Sequence, residues 1–172
     1  MKPLPALFVA CLVLLGGCAR TSPYQQPVEA ETPVQLTMWR ANLGQALTPE
    51  EWRWFDLTVQ EFKFQLMLEQ KVSGSAAIEA AVRERINGRK LGEVLREGLQ
   101  AHLERKTTER DELEAAIGIN AKRKIRPGDD DARRDLAAHQ ENLRQKLAKL
   151  NEELAALSAA LVQLDNKAGP RT

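Results

Sequence analysis

The chain has 172 residues, with 25 Lys plus Arg against 24 Asp plus Glu, and this near-zero balance excludes the basic excess a nucleic-acid binder would carry. Hydrophobic residues make up 43%, enough for one folded domain, while aromatics reach only 5%. Both cysteines, Cys11 and Cys18, precede the body of the protein, which excludes a disulfide framework there.

Taken in chain order, Met1-Lys2 is a short positive opening, followed by an apolar run over residues 3–15. The run is shorter than the ~20 residues a membrane-spanning helix needs, and Pro3 and Pro5 weaken it further. It has the form of a signal sequence. Leu15-Gly16-Gly17-Cys18 then resembles the lipobox of bacterial lipoproteins: an aliphatic residue, two small ones and a cysteine. That resemblance implies cleavage after residue 17, acylation of Cys18 on its thiol and freed amine, and loss of Cys11. Two or more acyl chains give stable attachment at ~0.8 kcal/mol per buried CH₂. Ala19, where an aspartate would suggest retention at the inner membrane, implies the periplasmic face of the outer membrane.

Residues 18–35 carry three prolines after the cysteine together with Ser, Thr, Gln and Glu, the composition of a flexible tether. A helical domain is expected over 36–166, with a short helix over Leu36–Leu47 at its start. Thr48-Pro49-Glu50-Glu51 is a capping box with proline at the first helical position. Behind it Trp52, Phe55, Val59, Phe62 and Leu66 recur at helical spacing on one face, which Trp54, Phe64 and Leu68 widen. Gly74 is a break and Ser75 a cap for a second short helix carrying Ile78, Val82 and Ile86. Asn87-Gly88 suits its left-handed close.

A long helix is predicted from Leu91 to Ile125, a turn near 126–130 at Arg126-Pro127-Gly128-Asp129, and a last helix over 130–166. Residues 167–172 read as a disordered tail. In the last helix Leu143, Leu147, Leu150, Leu154, Leu157, Leu161 and Leu164 keep a strict 4-3 spacing, a coiled-coil seam, with Leu136 one heptad earlier. Folding at about residue 128 makes the two long helices antiparallel and sets Leu113 by Leu143, Leu103 by Leu154 and Leu99 by Leu157. Lys106, Arg110 and Asn120 fall on the partner seam, where long stems can cover leucines. Alternatively the seam meets another chain or the aromatic helix. The fold class is therefore all-α: short helices followed by a long antiparallel, coiled-coil-like hairpin.

Met38–Leu47, TPEEWRWFD (48–56) and INGRKLGEVLREG (86–98) together resemble a group of small bacterial lipoproteins that share a "SL-x-PEE-x-x-x-F" helix and an "NGKT-x-x-E-[VI]-I" turn-and-helix. Lys90 stands where that group usually has a capping threonine. The resemblance implies an envelope address and a helical fold, and no activity.

Sites for chemistry are sparse. His102 and His139 fall far apart on the hairpin and read as solvated helix-surface residues. No phosphate loop, Cys-x-x-Cys or serine elbow occurs, so no enzyme activity, cofactor or metal is expected. Lys122, Arg123, Lys124 and Arg126, followed by Asp129-Asp130-Asp131, form the sharpest charge feature. They either meet an anionic partner, such as lipid headgroups or murein carboxylates, or complement the macrodipoles of the two helix ends. Trp54 and Phe64 either belong to the core or form a patch for a partner. The functional expectation is a lipid-anchored, non-catalytic interaction or scaffold protein of the cell envelope. Its partner would be an envelope protein or a second copy. A pilot-type chaperone escorting a client to the outer membrane is the alternative, and an envelope hydrolase the third.

Overall fold

A computed structural model describes residues 22–69 and 74–169. Cys18 and the signal sequence lie outside the described residues. After a short 3-10 turn at Pro23–Gln25 come five α-helices: α1 (Pro33–Leu43), α2 (Pro49–Leu68), α3 (Ser75–Ile86), α4 (Leu91–Ala121) and α5 (Asp130–Ala168). The all-α class and the long hairpin are as expected, and no strand occurs among the described residues. None of the described helices is long and apolar enough to cross a membrane.

Local chemistry sets the helix starts. Thr48 caps α2 through its side chain, accepting from Glu51 N, while Glu51 Oε2 accepts from Thr48 N at 2.6 Å. The same device opens α1, where Thr32 and Gln35 satisfy each other's backbone N–H ahead of Pro33. That box moves α1 three residues earlier than its expected start, and the helix stops at Leu43 rather than Leu47. The cap of α3 falls on Gly74 rather than Ser75, at a φ of +93° that a residue without Cβ adopts readily.

The segment read as tether is the main correction. From Ser22 onward it is folded against the body: Tyr24, Val28 and Ala30 are buried. Val28 N donates to Arg89 O at 2.8 Å, Gly88 N to Val28 O at 2.8 Å and Leu91 N to Gln26 O at 2.9 Å. Trp39 Nε1 donates to Pro27 O at 2.9 Å. Low apolar content means that a segment cannot build a core of its own. It does not stop Val28 and Ala30, on one side of an extended chain, from docking onto a core built by others. This strap also accounts for Lys90, whose side chain makes no cap for α4. The Gln26 carbonyl takes one of the helix's unsatisfied N–H groups instead.

The core lies where α2 crosses the first half of α4, with Phe55, Phe62, Leu91, Leu95 and Leu99 fully buried. Gly98 sets the approach: a Cβ there would stand 2.2 Å from Thr58 Cγ2, so only glycine lets the two helices come this close. The aromatic helix thus packs on the base of the hairpin.

α4 and α5 run antiparallel, pairing Arg96 with Asp165 and Lys106 with Glu153, and the side chain of Gln140 with the carbonyl of Asn120. This register is displaced by about one helical turn from a hairpin folded at residue 128. The cause is the end of α4 at Ala121 instead of Ile125. Residues 122–129 then run beside the first turns of α5, with Ile125, Ala132 and Leu136 lining one hollow. Leu143, Leu150, Leu154, Leu157 and Leu164 are buried and Leu147 and Leu161 partly buried, so the seam packs chiefly within one chain. Lys106 covers part of it as expected: its side chain is only 18% exposed while its ammonium reaches Glu109 and Glu153. The expected tail is shortened too, since Lys167 and Ala168 belong to α5.

Candidate functional site

The structure separates the residues singled out from sequence. Trp54 is only 6% exposed and belongs to the core, so it offers no surface to a partner. On the expected face of α2, Trp54, Phe55 and Phe62 are buried and Trp52, Val59 and Leu66 pack against the core. Glu51, Thr58 and Glu61 are buried beside them, and a hydrophobic pattern misses these three because they are polar. Phe64 is half-buried, with the Arg105 guanidinium 4.8 Å from its ring centre. Trp39, Trp52 and Phe55 form a ring cluster with centroids 5.5–6.2 Å apart, and Arg40 lies over Trp52.

Two buried carboxylates are the feature that periodicity hides. Glu51 accepts from the Tyr24 hydroxyl, from Thr48 N and from Lys167 Nζ at 2.6 Å, tying strap, α2 and the end of α5 at one point. Burial pushes its carboxyl up, and the bonds from Lys167, Tyr24 and Thr48 outweigh this and hold it at about 2. The Tyr24 phenol is driven well above its ordinary value by burial and by the Glu51 charge. Glu61 accepts from Arg105 at 2.9–3.1 Å and lies 2.8 Å from His102 Nδ1. Here too burial raises the carboxyl, and Arg105 and His102 lower it further than burial lifts it.

His102 is therefore not a solvated surface residue; its side chain is 12% exposed. Its Nδ1 stands 2.8 Å from Glu61 Oε2 and 2.9 Å from Arg105 Nη2, so the imidazole is held between the carboxylate and the guanidinium. A carboxylate held ionised by a guanidinium is a weak base, and the arrangement serves to clamp α2 to α4. His139 is exposed, as expected. Among the described residues no group of three or more His, Cys, Asp or Glu side chains is placed to hold a metal ion.

At the far end of the hairpin the charges divide. Asp129 caps α5 by accepting from Ala132 N at 3.0 Å, Asp130 pairs with Arg133 and Asp131 with Arg134. Lys122, Arg123, Lys124 and Arg126 are all exposed. None of the four side chains has an ion pair or hydrogen bond among the described residues. A macrodipole acts within the last turn. With α4 ending at Ala121, Lys124 and Arg126 lie beyond that range.

A second concavity, of about 240 Å³, opens between α1, α2 and α3. Leu36, Val59, Val82 and Ile86 line it together with the charged Lys63, Glu79 and Arg83. Val34 on α1, 67% exposed, is among the most exposed large apolar residues.

No protein-family model, curated protein or solved structure matches this chain, so the likeness of residues 38–98 to small lipoproteins rests on its motifs.

Proposed function

We propose that this is a lipid-anchored protein of the bacterial cell envelope, acylated at Cys18 and held on the periplasmic face of the outer membrane. It acts without catalysis, as an interaction arm. The observation that supports this most is the position of the four unpaired cations of residues 122–126 on an arm whose own seam packs chiefly within one chain. Covalent geometry limits the four residues from Cys18 to Ser22 to a reach of ~14 Å. The base is therefore kept close to the anchored lipid. The 31 residues of α4 carry the tip ~46 Å away from that base. Such an arm presents its cations to an anionic partner elsewhere in the envelope rather than burying them.

The test has two parts. Cys18→Ser should move the protein from the outer-membrane fraction to the soluble periplasm; retention there refutes the anchor. A photo-crosslinking residue in place of Pro127 should give a discrete adduct in cells. That adduct should be lost when Lys122, Arg123, Lys124 and Arg126 are changed to Gln. An adduct indifferent to those charges means that the tip is not the contact.

The concavity between α1, α2 and α3 supports a second reading, the pilot-type chaperone, which needs an apolar groove near the aromatic helix. Deletion would then mislocalise a client, an outcome the arm reading does not predict.

A further inference from the structure

Buried polar groups in folded proteins find partners, and each exception calls for a reason. Among the described residues two buried side-chain atoms have none: Thr58 Oγ1 and Arg83 Nε. The first is explained by packing, because Thr58 is wedged against the backbone of Gly98 at the α2–α4 crossing. The second has no such explanation. Arg83, on α3, is one of the residues lining the groove, and its guanidinium has no ion pair or hydrogen bond among the described residues.

Its neighbours are engaged. Arg85 and Arg89 share Glu97 at 2.5 and 2.7 Å. Glu79, one turn before Arg83 on the same helix, pairs with Lys63 at 3.4 Å. Arg83 is thus a guanidinium with a desolvated Nε, beside an apolar pocket, lacking an anion. With Nε buried, the outer Nη1–Nη2 edge is the one left to a ligand, and it matches a carboxylate with two parallel hydrogen bonds.

The size of the groove narrows the ligand. An apolar cavity of ~150 Å³ is enough to hold benzene, so about 240 Å³ seats one large side chain. An apolar side chain seated there and a carboxylate reaching Arg83 fit on one residue. In a polypeptide, a C-terminal residue carries a large apolar side chain and a carboxylate on a single Cα. We propose that this groove captures the C-terminal residue of a partner polypeptide. Its side chain rests on Leu36, Val59, Val82 and Ile86, and its terminal carboxylate pairs with Arg83. This assignment is independent of the anchor at Cys18 and of the basic tip.

The experiment uses the full chain in mild detergent and fluorescein-labelled hexapeptides Gly-Ser-Gly-Ser-Gly-X, read by fluorescence anisotropy. Peptides ending in Leu or Phe with a free carboxylate should bind saturably. The amidated forms, and the acid ending in Ser, should bind at least tenfold more weakly. Arg83→Met should lose at least tenfold, with its thermal midpoint kept or raised because an unpartnered charge is removed. Arg83→Lys, which keeps the charge without the fork, should fall between. Equal binding of acid and amide, undiminished binding by Arg83→Met, or no saturable binding of any peptide would overturn the proposal. So would displacement by decanoate as effective as by the peptide acid itself, since that would seat a fatty acid in the groove.

Discussion

The base of this molecule and its distal arm are built on the same two helices, α4 and α5, and they hold together by different means. In the base, α4 is covered on one side by α2 and on another by the strap and the end of α5, so Leu91, Val94, Leu95 and Leu99 are fully buried. Charges are buried there as well, each with its partners: Glu51 with Lys167 and Tyr24, and Glu61 with Arg105 and His102. Beyond Arg105 only two helices remain, and Leu143, Leu147 and Leu150 of α5 have α4 alone to rest on. Its ion pairs, such as Lys106 with Glu153, have at least one exposed partner and add little. Two helices back to back close a seam without enclosing a core. The arm thus borrows its stability from the base through chain continuity, while the base stands on its own packing.

Substitutions can break this contrast or sharpen it. The largest effect is expected for Phe62→Ala, where a fully buried ring on α2 is lost. It should cost ~3–5 kcal/mol in urea unfolding and lower the whole transition together. Leu150→Ala in the arm, at a residue 4% exposed, should cost ~2–3 kcal/mol, because a two-helix seam can collapse onto the gap. Hydrogen exchange should locate that loss in the arm amides and leave those of residues 91–99 protected. Equal loss of protection in both regions would make arm and base one cooperative unit. The smallest effect is expected for Glu51→Gln, ~1–2 kcal/mol at neutral pH, since Lys167 is half exposed and screened. Glu51 is held at about 2, below its unfolded value of ~4.3. Its contribution is therefore complete above pH ~4.3 and is lost as pH falls toward 2. The Gln variant should show a flatter stability profile across that window.

What the sequence discloses follows from which physics is local. Helix caps are local, so Thr48-Pro49-Glu50-Glu51 announced α2 correctly. Thr32-Pro33-Val34-Gln35 carries the same signal in a less familiar spelling, with glutamine closing the box. Heptad spacing is local too, and the seam from Leu143 to Leu164 read true. Register was not, because it depends on where α4 ends, and Ile125 looks like one more helical apolar residue. The polar members of α2's buried face and the strap were hidden for a different reason. Glu51, Thr58 and Glu61 are buried only because Lys167, Gly98, Arg105 and His102 arrive from far along the chain. No window around residue 61 contains that information. Arg83 was equally silent: an arginine between Val82 and Glu84 on a short helix looks solvated until α1 is laid beside it.

The strap joins the two ends of the fold. Gln25 Nε2 donates to the carbonyl of Ala168, across 143 residues of chain, and Tyr24 meets Glu51 only where Lys167 also stands. A chain synthesised from its amino end exposes residues 24–30 first and their docking surface last. Local helices form in microseconds, whereas a contact this distant waits for every intervening residue. The hairpin and its crossing with α2 can assemble beforehand. The strap, though earliest to be made, is the last part that can be fixed in place.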